Sequence, residues 1–131
     1  MNEKLDILAI GDITIDAFIK LQEAEDDCDI NKANCQICQK WGDKIPYESV
    51  TIVPAVGNAP NAAVSASRLG FTTGLLTNIG DDKEGKEALV CLTKENIATD
   101  LIKINAGQKT NYHYVLWYGA ERTILIKHEK Y

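Results

Sequence analysis

Apolar and polar positions follow two different periods along the chain, and each change of period marks a new element. Leu5-Asp6-Ile7-Leu8-Ala9-Ile10-Gly11 is a short apolar run ending in glycine, the pattern of a buried parallel strand. Thr14-Ile15-Asp16-Ala17-Phe18-Ile19 continues as an extended, alternating segment. Residues 22–43 show no clean period, so an insertion or long turn with one short helical piece is expected there. Lys44 to Pro54 reads as a strand, and Pro46 and Pro54 at its ends point to a sheet edge. A helix over 59–69 follows, then a strand over 71–80. A second helix runs from about Asp82 to Asn96, with Ala88, Leu89 and Leu92 on one buried face and Asp81 or Asp82 as its cap. Ile97 to Leu101 leads into a short strand at Ile102-Lys103-Ile104. Thr110–Tyr118 and Arg122–His128 then flank Gly119-Ala120-Glu121, which predicts a β-hairpin. The strand–helix–strand–helix order implies an α/β fold with right-handed crossovers.

The stretch Val56-Gly57-Asn58-Ala59-Pro60-Asn61-Ala62-Ala63 carries the most chemistry. A proline in the first helical turn wastes no hydrogen bond, because the first N–H groups of a helix have no partner inside it. Those N–H groups favour anions or ligand oxygens, and Gly57 lets a ligand approach the backbone. Asn58 and Asn61 each add an amide that donates and accepts, a set that suits a polyhydroxylated ligand. The plainer reading is a strand-to-helix turn capped by Asn58. Asp12 and Asp16 lie beyond the carboxyl end of the first strand, where open α/β sheets bind ligands. Asp16 can accept two charge-assisted hydrogen bonds from two hydroxyls; the plainer reading is a solvated strand-end acid. His113 and His128 are expected on exposed strand faces, without a catalytic role.

Composition narrows the function. The 131 residues fit one domain, 45% hydrophobic and 25% charged, an ordinary soluble balance. A net charge of −5 with no basic stripe argues against nucleic acid. No apolar run nears the roughly 20 residues that span a bilayer. The opening residues lack the basic region and apolar core of a signal peptide, so the cytoplasm is the expected compartment. Cys35-x-x-Cys38, with Cys28 nearby, has a metal or redox spacing. A fourth zinc ligand is not near in sequence. Without an export signal, free thiols are expected instead. Cys91 reads as core.

A resemblance adds to this reading. Gly57-Asn58-Ala59-Pro60-Asn61-Ala62-Ala63, Arg68-Leu69-Gly70, Asn78-Ile79-Gly80-Asp81-Asp82 and Gly85 resemble the N-terminal signature of the PfkB/ribokinase family of carbohydrate and nucleoside kinases. The spacing matches over about thirty residues. Upstream, Ile10-Gly11-Asp12-Ile13-Thr14-Ile15-Asp16 resembles the family's first strand and its sugar-contacting Asp. Val56 departs from the pattern, standing where the first glycine of a pair is usual. The resemblance implies a ribokinase-like, Rossmann-type parallel sheet flanked by helices, with a small β-sheet lid over the sugar. The lid would use about 14–21, 44–55 and part of 110–128, around the insertion at 22–43, and would pair with a second subunit's lid in a homodimer. It implies Asp16, Thr14, Gly57, Asn58, Asn61 and Tyr112 as substrate-binding residues, with Tyr114 and Arg122 also near the sugar. Gly80-Asp81-Asp82 is assigned a structural role and no catalysis.

Phosphoryl transfer also needs positioned phosphates, charge neutralisation and a base. In the family these parts lie in a C-terminal Gly-Ala-Gly-Asp motif, which this chain lacks, and ATP and Mg2+ would bind mainly there. The expectation is therefore the N-terminal, sugar-binding part of a longer ATP-dependent kinase, truncated before the ATP-binding half and inactive alone. No catalytic residue and no metal ligand is assigned within the chain. Two other readings stay open: a stand-alone sugar- or nucleoside-binding or regulatory module, and a zinc-stabilised interaction domain built on Cys28, Cys35 and Cys38.

Overall fold

A computed structural model of the chain describes residues 4–22, 24–27 and 34–131. Its elements are β1 (Ile7–Ile10), β2 (Thr14–Leu21), β3 (Glu25–Asp27), β4 (Gln36–Cys38), β5 (Tyr47–Val56), α1 (Asn58–Arg68), β6 (Thr73–Gly80), α2 (Lys83–Lys94), β7 (Ile97–Ala98), β8 (Ile102–Asn105), β9 (Tyr112–Tyr118) and β10 (Glu121–Leu125). The first sheet is wholly parallel. β6 pairs with β1 and β7, and its later half pairs with β8. Alternate β6 residues Thr73, Leu75, Thr77 and Ile79 are buried. Leu75 and Ile79 meet Ala63 of α1 and Ala88 and Leu92 of α2 in one core cluster. Each large aliphatic side chain buried there contributes roughly 1.5–3 kcal/mol.

The first strand is parallel but not buried. Leu8 and Ile10 are 41% and 67% exposed. They are in register with Gly74 and Leu76, so they share with Leu76 the face opposite Leu75. The helices cover only the Leu75 face. The helix ends follow local chemistry. Asp82 caps α2, accepting from the Gly85 N–H at 2.9 Å. Gly70, at φ 94, follows the last turn of α1, and the Phe71 N–H returns to the Ala66 carbonyl at 3.2 Å.

The second sheet has the order β10–β9–β2–β5, which puts β5 at the edge its prolines indicate. β9 and β10 form the antiparallel hairpin, and β2 runs parallel to β9 and antiparallel to β5. Thr14 opposes Val56 and Asp16 opposes Val53, so Pro54 and Ala55 together face Ile15 in a β-bulge. Ala55 takes up the bulge at φ 58, a left-handed conformation for a buried alanine.

In the insertion, β3 and β4 pair antiparallel, and the described residues there contain no helical piece. Cys35 is disulfide-bonded rather than free. Cys38 and Cys91 are free thiols, Cys91 half-buried against the core. Cys28 lies outside the described residues. Among the described residues no group of three or more His, Cys, Asp or Glu could hold a metal, and no helix is long and apolar enough to cross a membrane.

Candidate functional site

The two sheets meet where β1 hands over to β2 and β5 hands over to α1. A cleft of about 930 Å³ opens there, lined by Asp12, Thr14, Asp16, Gly57, Asn58 and Asn61 among others. It sits at the carboxyl end of β1, the region where parallel sheets bind ligands. Gly11 lies at its base, and a Cβ on Gly11 would come 3.1 Å from the Ala59 Cβ. The small residues at both positions let α1 lie close to the strand end.

Gly57 is the N-cap of α1, and no side chain caps the helix. Asn58 is therefore its first residue, not its cap. The first intrahelical bond runs from the Asn61 N–H to the Gly57 carbonyl at 2.9 Å. The N–H groups of Asn58 and Ala59 precede it, Pro60 has none to give, and no acid occupies the first turn. That end of the helix dipole favours electron-rich ligand oxygens. Gly57 itself sits at φ 122, and a Cβ there would stand 2.9 Å from the Asp12 carbonyl. The neighbour that demands glycine is thus the chain's own β1–β2 turn.

Asp16 points from β2 into the cleft, its side chain 19% exposed. Its Oδ1 is buried without a hydrogen-bond partner. Burial pushes the carboxyl above its ordinary value, and the charge of a protonated His113 pulls it partway back. Thr14 also lines the cleft, but its hydroxyl is turned to backbone carbonyls, among them Asn111 at 3.2 Å. Asn111 is buried and hydrogen-bonded at both ends of its side-chain amide. Its amide donates to the Ile13 carbonyl at 3.1 Å, and its Oδ1 accepts from the Glu129 N–H at 2.8 Å. That one side chain holds the terminal segment against the start of β2.

Tyr112 is placed elsewhere. Successive β9 residues face opposite sides of the sheet. His113 lines the cleft, so Tyr112 turns to the core, where it packs against the buried cluster. Burial and the nearby charges of Tyr114, Glu84 and Glu87 push its hydroxyl up in pKa, which puts it toward α2. The two histidines do not both lie on exposed strand faces. His113 is only 12% exposed in its side chain, because β9 pairs with β2 and lays it beside Asp16. His128 is half-exposed, lies after β10 rather than in a strand, and lines the same cleft with Arg122. Two-residue alternation from Asp16 and the parallel β2–β9 pairing carry the signal for His113, but the pairing is not readable from either strand alone.

Residues 7–130 match the family described as pfkB family carbohydrate kinase. A comparison with curated protein sequences finds no match. Among solved structures, Arabidopsis thaliana ribokinase complexed with ribose and ATP superposes with a TM-score of 0.74 at 16% identity, over 95% of this chain and 36% of that one. Halothermothrix orenii fructokinase gives 0.67 at 25% identity, over 95% and 38%. The Methanocaldococcus jannaschii nucleoside kinase gives 0.70 at 17% identity, over 92% and 36%. The chain thus spans a little over a third of the length of each of these structures.

Proposed function

The chain belongs to the pfkB family of carbohydrate kinases, and on that premise we propose that it forms the substrate-binding part of an ATP-dependent kinase for a hydroxyl of a sugar, sugar phosphate or nucleoside. The observation that carries this reading is the convergence of Asp16, Gly57, Asn58 and Asn61 on one cleft. A half-buried carboxylate can accept from two hydroxyls, the Asn amides donate and accept, and the α1 N-terminus adds backbone donors. Such a set binds a polyol with direction and leaves one hydroxyl to be presented for transfer.

ATP, Mg2+ and the base that takes the hydroxyl proton are assigned to the part of the kinase outside this chain. The reading includes a homodimer through the second sheet. Val50, Ile52, Tyr114 and Leu125 are 45–55% exposed on its face away from the cleft, an apolar strip that a second copy would cover.

The test is Asp16→Ala in the complete protein. The expected result is a fall of about 100-fold or more in kcat/KM for the best substrate on a sugar, sugar-phosphate and nucleoside panel. An unchanged kcat/KM would remove Asp16 from the site.

A further inference from the structure

We propose that His113 is a positioning residue for Asp16: it holds the carboxylate in place, and makes binding of the hydroxyl ligand proton-linked. This rests on the kinase reading above. Parallel pairing of β2 with β9 sets Asp16 opposite His113 on the same face. Asp16 Oδ1 and His113 Nδ1 stand 3.5 Å apart. That is longer than a formed charge-assisted bond, which runs roughly 2.7–2.9 Å.

Two buried side-chain atoms at this place lack a hydrogen bond, Asp16 Oδ1 and His113 Nε2. Buried polar atoms are nearly always satisfied. The same wall shows that the fold can satisfy them, since Asn111 and Thr14 are both bonded. Asp16 and His113 both line the cleft, and a bond from His113 Nδ1 would satisfy Asp16 Oδ1. Hydrogen bonds of this kind are often long without substrate and tighten when it binds. With Oδ1 engaged by His113, Oδ2 is the oxygen left to the ligand.

The surroundings restrict what else can set the charge of this pair. The His128 ring stands edge-on to His113, with centroids 5.3 Å apart, and His128 Nδ1 is 3.7 Å from Asp12 Oδ2. The sequence Asp16, His113, His128, Asp12 is therefore one array along the cleft wall. Val53 of β5, opposite Asp16, brings no charge. Arg122 of β10 pairs with Trp117, four residues along β9 from His113, about 13 Å at strand spacing. A protonated His113 is the one neighbouring charge that acts against burial on the Asp16 carboxyl, lowering the pKa that burial raises.

The experiment compares the complete protein with its His113→Leu and His113→Gln variants, following kcat/KM for the sugar substrate against pH. Leucine removes both the hydrogen bond and the charge. The expected result is a KM raised about tenfold with kcat changed less than about twofold. The acid limb of the profile moves to higher pH, because Asp16 loses the charge that lowers its pKa. Glutamine can still donate to Oδ1, so it restores KM near neutral pH while the acid limb stays displaced. Should the leucine variant fail to fold, the displaced limb of the glutamine variant decides. A limb that superimposes on the unsubstituted protein in both variants overturns the proposal, even where Asp16→Ala abolishes turnover. Absence of ATP-dependent turnover on the whole panel overturns the kinase reading and this inference together.

Discussion

Thr110 holds Asp82 twice: its N–H donates to Oδ2 at 2.8 Å and its hydroxyl to Oδ1 at 2.6 Å. The Gly85 N–H adds a third bond at the start of α2, and the Thr110 hydroxyl oxygen accepts from the Gly80 N–H at 3.1 Å. One carboxylate thereby ties the end of β6, the start of α2 and the strand entering the second sheet. Asp82→Ala removes the cap and leaves the Thr110 donors without their acceptor. The expected loss is about 2 kcal/mol of unfolding free energy at neutral pH. Thr110→Val should cost less, and the double variant should lose less than the sum of the two. Additive losses in urea unfolding would show that the pair does not act as a unit.

The same carboxylate gives stability a pH dependence. Burial pushes the Asp82 pKa up, the bonds from Thr110 and Gly85 pull it down, and the bonds prevail. A group whose folded pKa lies below its unfolded value stabilises the fold fully above the unfolded value, about 3.9 for aspartate. That contribution disappears as pH falls through the folded value. The stability curves of the unsubstituted protein and Asp82→Ala should therefore run parallel at neutral pH and converge below about pH 4. Curves that stay parallel through that window would place the cause elsewhere.

Gly57 is constrained from two sides, by φ 122 and by the Asp12 carbonyl 2.9 Å from where a Cβ would stand. Gly57→Ala should cost about 2 kcal/mol in unfolding free energy. It should also raise the substrate KM of the complete protein. The strain pushes Asp12 away from the α1 N-terminus, and Asp16 lies four residues further along the same strand entry. A variant within about 0.5 kcal/mol of the parent, with KM unmoved, would show that the turn relaxes around a methyl group.

Local chemistry made much of this legible in the sequence. The parallel α/β order follows from apolar runs alternating with helical periods, as at Thr73–Gly80 and Lys83–Lys94. Residue type alone narrows the cap of α2 to Asp81 or Asp82. The convergence of Gly57, Asn58 and Asn61 follows because all three lie within one strand-to-helix turn. What stayed hidden depends on pairing between distant strands. His113 looked exposed because nothing in β9 tells which strand lies beside it, and a shift of one residue would exchange it with Tyr112. Thr14 read as a ligand group, yet its hydroxyl is used by a carbonyl 97 residues away. The Ala55 bulge was not legible either, since alanine gives no sign of a positive φ. The open face of β1 could not be read from an apolar run that looks the same whether one or both faces are covered.

That open face supports the last prediction. Leu8, Ile10 and Leu76 project together from the parallel sheet, 41%, 67% and 41% exposed, with no helix over them among the described residues. A contiguous apolar patch on a sheet binds hydrophobic dyes and drives association. In residues 1–131 alone, Leu8→Thr with Ile10→Thr should lower dye fluorescence by about half or more while costing less than about 1 kcal/mol, since these side chains lose little burial. The matched kinase structures are about two and a half times as long, so the complete protein provides the contrast. If the rest of the kinase covers this face, the same pair of changes should cost about 3 kcal/mol or more there. An equally small cost in both would mean that the face stays bare in the complete protein and that its apolar side chains serve association with something else.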